Sequence, residues 1–243
     1  MVKLNKLMSN SRASEVYSAA NRMILEFKTG DWSTETKLTS IFNEIEPLNI
    51  SLEKAINQEK AISDLEVKDE IRDGLVQNIY YTIKGFLHSP LASFKNAAEA
   101  VDAIFSRYGL EIINQSYSVE SGFVKSMLSE FSGAEIQTSI DALPGLRDLI
   151  NSLITAQTDF ETARVAYDKA SASDKSKESA TEIKKQVLAS VNDKLVAYLK
   201  IMSIMDESTY GILADTVSKI IDDNNEQVKK RRKKPTAELN TNN

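Results

Sequence analysis

The stretch SPLASFKNAAEAVDAIFSRYG, residues 89–109, predicts an α-helix with a defined beginning and end. Ser89 and Pro90 mark the start, because serine caps helices and proline suits the first helical position. Gly109 marks the end, where a helix commonly closes on glycine. Spacings of three and four residues place the apolar side chains on one helical face: Leu91, Phe94, Ala97, Ala98, Val101, Ile104, Phe105 and Tyr108.

The same spacing extends along most of the chain and predicts an all-α fold with about eight helices. Pro47 predicts either one long bent helix or two short collinear helices around it. The eight predicted segments are 9–27, 33–56, 65–87, 91–108, 118–131, 146–164, 183–202 and 212–221, with a short helical piece at 136–142.

Two parts of the chain repeat a similar order of turns and helices. The turn at residues 27–30 has a counterpart at 131–133, and Pro47-Leu48 has a counterpart at 144–146. One interpretation is an internal duplication that forms two four-helix bundle units in tandem. The alternative is one elongated all-helical domain.

The tandem interpretation divides the chain into an N-terminal bundle at 9–109, a C-terminal bundle at 117–228 and a tail at 229–243. The tail is predicted to be disordered, because a run of like charges followed by Pro, Thr and Asn has little to bury. Residues 110–117 connect the two predicted bundles.

Composition excludes several kinds of chemistry. The chain has no cysteine and a single histidine, His88, so disulfides, thiolate metal sites and histidine pairs are absent. Phosphate-binding loops, dinucleotide fingerprints, nucleophile elbows, calcium loops and Glu-x-x-His pairs are also missing from the sequence. We therefore expect no catalytic residue of these types, no metal and no cofactor.

The distribution of apolar residues predicts where the protein is located in the cell. No apolar run approaches the roughly 20 residues that a membrane-spanning helix needs. Lys6 and Asn5 interrupt the apolar residues at the start, so no signal-peptide core is evident. We expect a cytoplasmic protein without a membrane partner.

Charge is distributed unevenly along the chain. Residues 1–228 contain 24 basic and 34 acidic residues, whereas the tail carries a basic run. An acidic body is a poor platform for nucleic acid, so only the tail is a candidate for phosphate contacts. These candidates are Lys229, Lys230, Arg231, Arg232, Lys233 and Lys234.

The densest polar cluster is Asp69, Arg72 and Asp73 in the predicted helix 65–87. Spacings of three and four place these side chains together, where an arginine between two carboxylates can bind a ligand group. The arginine should keep both carboxylates ionised, which suits binding better than acid catalysis. The structural alternative is a solvated ion-pair ladder or a bridge between helices. Tyr117 and Glu120, near the connector, are further ligand-binding candidates.

Several spaced positions resemble an uncharacterised all-helical family, a domain of unknown function from anaerobic gut bacteria. They are Asp69-x-x-Arg72-Asp73, Tyr108-Gly109, Ser116-Tyr117-Ser118-x-Glu120 and Gln157-x-x-Phe160 followed by Arg164. The resemblance covers about residues 9–228, and Ser121 and Gln157 depart from its pattern. It implies a helical fold in a bacterial cytoplasm and carries no activity.

Three functional hypotheses remain at this point. The first is a non-enzymatic helical interaction or scaffold protein that binds a protein partner or a second copy of itself. The second is a small-ligand binder or enzyme that uses the carboxylate, arginine and tyrosine cluster between the two halves. The third is association of nucleic acid with the tail, in which case deleting residues 229–234 should abolish salt-sensitive binding.

Overall fold

A computed structural model describes residues 3–173 and 178–233 of the 243-residue chain. These residues form an all-α structure without a strand, which confirms the predicted fold class. The helices are α1 (Ala13–Phe27), α2 (Thr36–Leu87), α3 (Ala92–Phe105), α4 (Tyr117–Phe131), α5 (Gln137–Ala142), α6 (Leu146–Ser173), α7 (Ala180–Ala189), α8 (Val196–Met205) and α9 (Glu207–Lys233). The π-helical turn Ser190–Leu195 joins α7 to α8 without a break, so the described residues form eight continuous α-helical segments.

Helix α2 is longer than predicted, with 52 residues that include Pro47 and the expected boundary at residues 63–64. Proline removes one backbone hydrogen bond and costs about 3 kcal/mol inside a helix. Buried Ile45 and Leu52 lie on either side of Pro47, and their burial offsets this cost. The separate helices predicted at 33–56 and 65–87 are therefore one helix.

The chain divides into two compact units. Unit 1 comprises Met1–Glu59 and Ala170–Asn243, and unit 2 comprises Lys60–Lys169. Both α2 and α6 contribute residues to each unit. These units do not coincide with the predicted segments 9–109 and 117–228, and the internal duplication stays a prediction.

Unit 1 incorporates the N-terminal segment into its core. Leu4 and Leu7 are each 2% exposed and belong to the same apolar cluster as α1, α7 and α9. The Leu7 backbone N–H donates to Asn192 Oδ1 at 2.8 Å, and Asn192 Nδ2 donates to the Leu7 carbonyl at 3.0 Å. Asn192 lies in the π-helical turn, so this turn holds the N-terminal segment in place.

Unit 2 has a core of its own that brings α2, α4 and α6 together. Ile79, Met127 and Leu153 are fully buried in one apolar cluster, one from each of these helices. Helices α3 and α5 complete the cluster, to which α3 contributes Val101 and α5 contributes Ile140. This packing places polar positions of α2, α4 and α6 beside one another.

Helix α9 continues into the segment that was predicted to be disordered. Val228 is fully buried, and Arg231 pairs with Glu15 of α1, so residues 229–233 extend the helix. The predicted tail boundary at residue 229 is therefore too early, because the basic run has both a buried neighbour and an acidic partner. Residues 234–243 lie outside the described residues.

Over residues 3–173 and 178–233, no helix is both long enough and apolar enough to cross a bilayer.

Candidate functional site

Arg72 is the centre of a polar cluster inside unit 2, and its side chain is 0% exposed. Its Nη2 lies 2.6 Å from Asp69 Oδ1 and 2.6 Å from Glu120 Oε2. Its Nη1 donates to Ser121 Oγ at 2.9 Å and to Gln157 Oε1 at 3.3 Å. One guanidinium therefore joins α2, α4 and α6.

An aromatic wall covers the same guanidinium. The Arg72 Cζ atom lies 3.8 Å from the centre of the Phe160 ring, a distance typical of a cation–π contact. Tyr117 packs edge-on against Phe160 with ring centres 5.3 Å apart, and Arg164 lies 5.5 Å from the Tyr117 ring centre. The wall excludes water from one side of the arginine and strengthens its charge interactions.

Three carboxyl groups converge next to Arg72. One oxygen from each of Asp69, Asp73 and Glu120 lies within 4.8 Å of the other two. Glu120 is 1% exposed, whereas Asp69 and Asp73 are half-buried. With all groups ionised, the three carboxylates outnumber the single guanidinium by two charges.

Several atoms of the cluster have unused hydrogen-bonding capacity. Among the described residues, Arg72 Nε has no hydrogen-bond partner, and neither do Glu120 Oε1 and Asp73 Oδ1 when both carboxyl groups are ionised. An unpartnered buried polar atom costs about 1–3 kcal/mol. The two carboxyl oxygens can be satisfied by a shared proton or by a cation.

Burial changes the protonation of this pair. Desolvation raises the pKa of Glu120 to about 8, with a further contribution from its hydrogen bond to Asp73, while Arg72 opposes the shift. Burial also raises the pKa of Asp73, although the hydrogen bond from Glu120 opposes it. At Asp73, loss of water therefore acts against the effect expected of Arg72 and outweighs it in the direction of the pKa shift.

A cavity of about 660 Å³ adjoins the carboxyl cluster. Four carboxyl residues and one tyrosine dominate its wall: Glu66, Asp69, Glu70, Asp73 and Tyr117. A second cavity of about 320 Å³ also includes Tyr117, together with Phe160 and Arg164. Both cavities lie within unit 2, and the larger one has a strongly acidic wall.

The structure places all five predicted ligand-binding residues in one region: Asp69, Arg72, Asp73, Tyr117 and Glu120. They come from α2 and α4, one helix from each predicted half, but both stretches belong to unit 2. Arg72 also makes the bridge between helices that was the structural alternative. The ligand-binding role of these residues stays a prediction.

Sequence reasoning missed three direct partners of Arg72, namely Ser121, Gln157 and Phe160. The spacing of three residues between Gln157 and Phe160, followed by Arg164 four residues later, places all three on one face of α6. Gln157 also donates from Nε2 to Glu161 Oε1 at 2.9 Å, which orients its carbonyl oxygen towards Arg72. The sequence signal that could have identified the partners on α6 is therefore this stripe of polar and aromatic residues on one face of the helix.

The basic candidates lie at the other end of the chain, and two of them have acidic partners. Arg231 pairs with Glu15, and Lys230 Nζ lies 3.3 Å from Glu226 Oε2. Lys229 is exposed. The side chains of Arg232 and Lys233, and the whole of Lys234, lie outside the described residues, so nucleic-acid contact stays a prediction.

No curated protein and no solved structure matches the chain. The model of the family of unknown function DUF6261 matches residues 62–234, well over half of the chain. The match includes every residue of the Arg72 cluster, both from the α2 stretch and from α4 and α6. The chain belongs to the family of unknown function DUF6261.

Proposed function

We propose that the protein is a non-enzymatic binder of a small cationic ligand, which enters the acidic cavity of unit 2. The observation that carries the proposal is the buried Glu120 carboxyl, whose Oε1 has no hydrogen-bond partner in the described part of the chain when Glu120 and Asp73 are both ionised. It faces Asp69 and Asp73, which line the cavity. A cation would satisfy these oxygens and reduce the repulsion among them.

The chemistry of the wall supports a positive ligand. Glu66 and Glu70 are exposed at the cavity and add two carboxylates to those of the cluster. Tyr117 contributes an aromatic ring, and ammonium groups bind favourably to such rings. Arg72 is already held by Asp69, Glu120 and the α4 and α6 partners, so it leaves the acidic character of the cavity largely intact.

The experiment is a titration of the purified chain with spermidine at low ionic strength, followed by calorimetry and thermal unfolding. We expect saturable binding and a rise in the unfolding temperature, because a ligand that binds only the folded state stabilises it. Citrate and glucose are the anionic and neutral controls. A matched variant is Asp73→Asn, which keeps the shape of a cavity residue but removes its charge.

The proposal predicts weaker spermidine binding by Asp73→Asn and little effect of citrate or glucose. Equal responses to the cationic, anionic and neutral compounds would contradict it. Unchanged affinity in Asp73→Asn would also contradict a site at this wall.

A protein-interaction role is the second candidate, and a row of exposed apolar residues on α8 favours it. Ile201, Ile204 and Met205 are 59%, 61% and 74% exposed, and their spacing places them on one helical face. Exposed apolar patches on soluble proteins often mark interaction sites. We propose self-association through this face, tested by sedimentation velocity. Ile204→Lys should convert an oligomer to a monomer, and a wild-type chain that stays monomeric at high concentration would rule it out.

The last part of the proposal concerns the cellular location of the protein. A bacterial cytoplasm is supported by the absence of cysteine and by the family resemblance, and expression with subcellular fractionation tests it.

A further inference from the structure

We propose that Asp69, Asp73 and Glu120 bind one divalent metal ion of the Mg²⁺ and Mn²⁺ class at the wall of the acidic cavity. This inference rests on the proposed function, since it names the cation that the same site would bind. It is a metal site built from α2 and α4 of unit 2.

The spacing of the oxygen atoms suits a single ion. Three carboxyl oxygens, one from each residue, lie within 4.8 Å of one another. Oxygen ligands lie about 2.0–2.1 Å from Mg²⁺ and about 2.3–2.6 Å from Ca²⁺, so two ligands of one ion are at most about 4.2 Å apart for Mg²⁺ and about 5.2 Å apart for Ca²⁺, and Mg²⁺ requires the carboxylates to move slightly closer together. Small rotations of the two half-buried aspartates can therefore close the carboxylates on a central ion.

The cluster also has free ligand atoms. Arg72 binds Glu120 through Oε2 and Asp69 through Oδ1. When both groups are ionised, Glu120 Oε1 and Asp73 Oδ1 are buried without a hydrogen-bond partner over residues 3–173 and 178–233. Glu120 is 1% exposed, so its oxygen is paired either by a proton shared with Asp73 or by a cation that displaces this proton. The arginine therefore organises the carboxylates without using every lone pair.

Charge balance favours a divalent ion over a monovalent one. Once the cation has displaced the proton of Glu120, three carboxylates beside one guanidinium carry two excess negative charges, which one divalent cation neutralises. Burial makes an unbalanced charge costly, and Glu120 is the most deeply buried of the three ligands.

The ligand type narrows the choice of ion. All three protein ligands are carboxylates, which suit Mg²⁺, Ca²⁺ and Mn²⁺ rather than metals that prefer thiolate or imidazole ligands. Ca²⁺ usually takes six to eight oxygens, whereas octahedral Mg²⁺ takes six and keeps several waters, so three carboxylates leave three positions for water. A cavity of about 660 Å³ gives room for those waters, so the smaller ion fits better.

The test uses Mn²⁺ as the probe and the full chain after treatment with a chelator and dialysis. Electron paramagnetic resonance measures free Mn²⁺ during the titration, and competition with Mg²⁺ or Ca²⁺ ranks the ions. We expect one Mn²⁺ per chain and displacement by Mg²⁺ at lower concentration than by Ca²⁺. Asp73→Asn and Glu120→Gln should each weaken binding at least about tenfold, because each removes a charged ligand.

Glu70→Gln is the matched control, since Glu70 lines the cavity on the same helix but is not one of the three clustered carboxylates. It should keep the affinity for Mn²⁺ within about twofold, a change well below the tenfold that 1.4 kcal/mol represents. Circular dichroism establishes that each variant is folded before binding is measured.

The wild-type titration decides the proposal even if a variant fails to fold. Absence of saturable Mn²⁺ binding in wild type would overturn it, as would unchanged binding in Asp73→Asn. Spermidine binding without Mn²⁺ binding would overturn the metal assignment and leave the proposed cation-binding function standing. Failure of both spermidine and Mn²⁺ to bind would overturn both.

Discussion

Replacing Glu120 by glutamine should remove the contribution of this residue to the pH dependence of stability. Glu120 has a pKa of about 8 in the folded protein, against 4.5 for an ordinary glutamate. Between these values the folded state holds a proton that the unfolded chain has released. Stability is therefore fully supported below about pH 4.5 and is lost as the pH rises through about 8. Glutamine is neutral at every pH and has no such dependence.

The size of the effect follows from the pKa difference. Between the two pKa values of Glu120, 4.5 and about 8, each pH unit costs about 1.4 kcal/mol of stability per proton. Between about pH 5.5 and 8 the expected loss is about 3 kcal/mol for wild type relative to Glu120→Gln. The loss of stability is largest if the ionised Glu120 carboxylate stays buried beside Asp69 and Asp73. The loss is smaller if these two aspartates turn towards the water of the cavity.

The assay is equilibrium urea unfolding of wild type and Glu120→Gln at about pH 5.5, 7 and 8.5, with a chelator present so that no metal ion competes with protons. Titrating groups that do not interact with Glu120 are common to both proteins, so their contributions cancel in the difference, whereas Asp73 titrates together with Glu120 and belongs to the measured effect. Glu70→Gln is the control, because this exposed glutamate should leave the pH dependence of wild type unchanged.

Parallel stability curves for wild type and Glu120→Gln would refute the reasoning. So would a wild-type advantage that grows with pH, because it would mean that Glu120 is stabilised as a carboxylate by Arg72. Either result would show that ion pairing, rather than desolvation and the hydrogen bond to Asp73, controls this group.

Three further substitutions test the packing of the two units by urea unfolding. Arg72→Met should cost about 3–5 kcal/mol, because it leaves buried carboxylates without their cation, whereas Arg107→Met at an exposed ion pair should cost less than about 1 kcal/mol. Phe160→Ala should cost about 3–5 kcal/mol, because the buried ring packs against Arg72 and the unit 2 helices. Asn192→Ala should cost about 1–3 kcal/mol, since it removes both hydrogen bonds to the Leu7 backbone and loosens the N-terminal segment in unit 1.

Each of these predictions has a result that would count against it. Equal losses for Arg72→Met and Arg107→Met would mean that burial adds nothing to the ion pair of Arg72. A loss below about 1 kcal/mol for Phe160→Ala would contradict close packing of the ring. Unchanged protease sensitivity of the N-terminal segment in Asn192→Ala would contradict the role of the π-helical turn.

Most of the helices could be predicted because their signals are local. The stretch from Ser89 to Gly109 contains its own apolar face, and α3 forms within it, but the helix begins at Ala92 after Leu91 rather than after Ser89, and it ends at Phe105, before Gly109. Pro47 shows the limit of local signals: it left open one long bent helix or two short collinear helices, and α2 continues through it because buried residues on both sides compensate. The length of a helix thus depended on contacts far away in the chain.

The candidate site was predictable in part for the same reason. Asp69, Arg72 and Asp73 share a face of one helix, so their proximity follows from spacing alone. The approach of Glu120 and Phe160 does not, because each lies on another helix whose position depends on the packing of unit 2. The burial of Glu120 could not be predicted from the sequence either, because glutamate side chains are usually exposed in proteins.

By itself the sequence determined the all-α class, the apolar faces of the helices and the scarcity of histidine and thiol chemistry, since each depends on residue type and local spacing. Only the tertiary structure decided that unit 2 joins α2, α4 and α6 around Arg72, and that Glu120 loses its water there. The physical reason is that side-chain volume and desolvation act between segments distant in sequence, where periodicity carries no information.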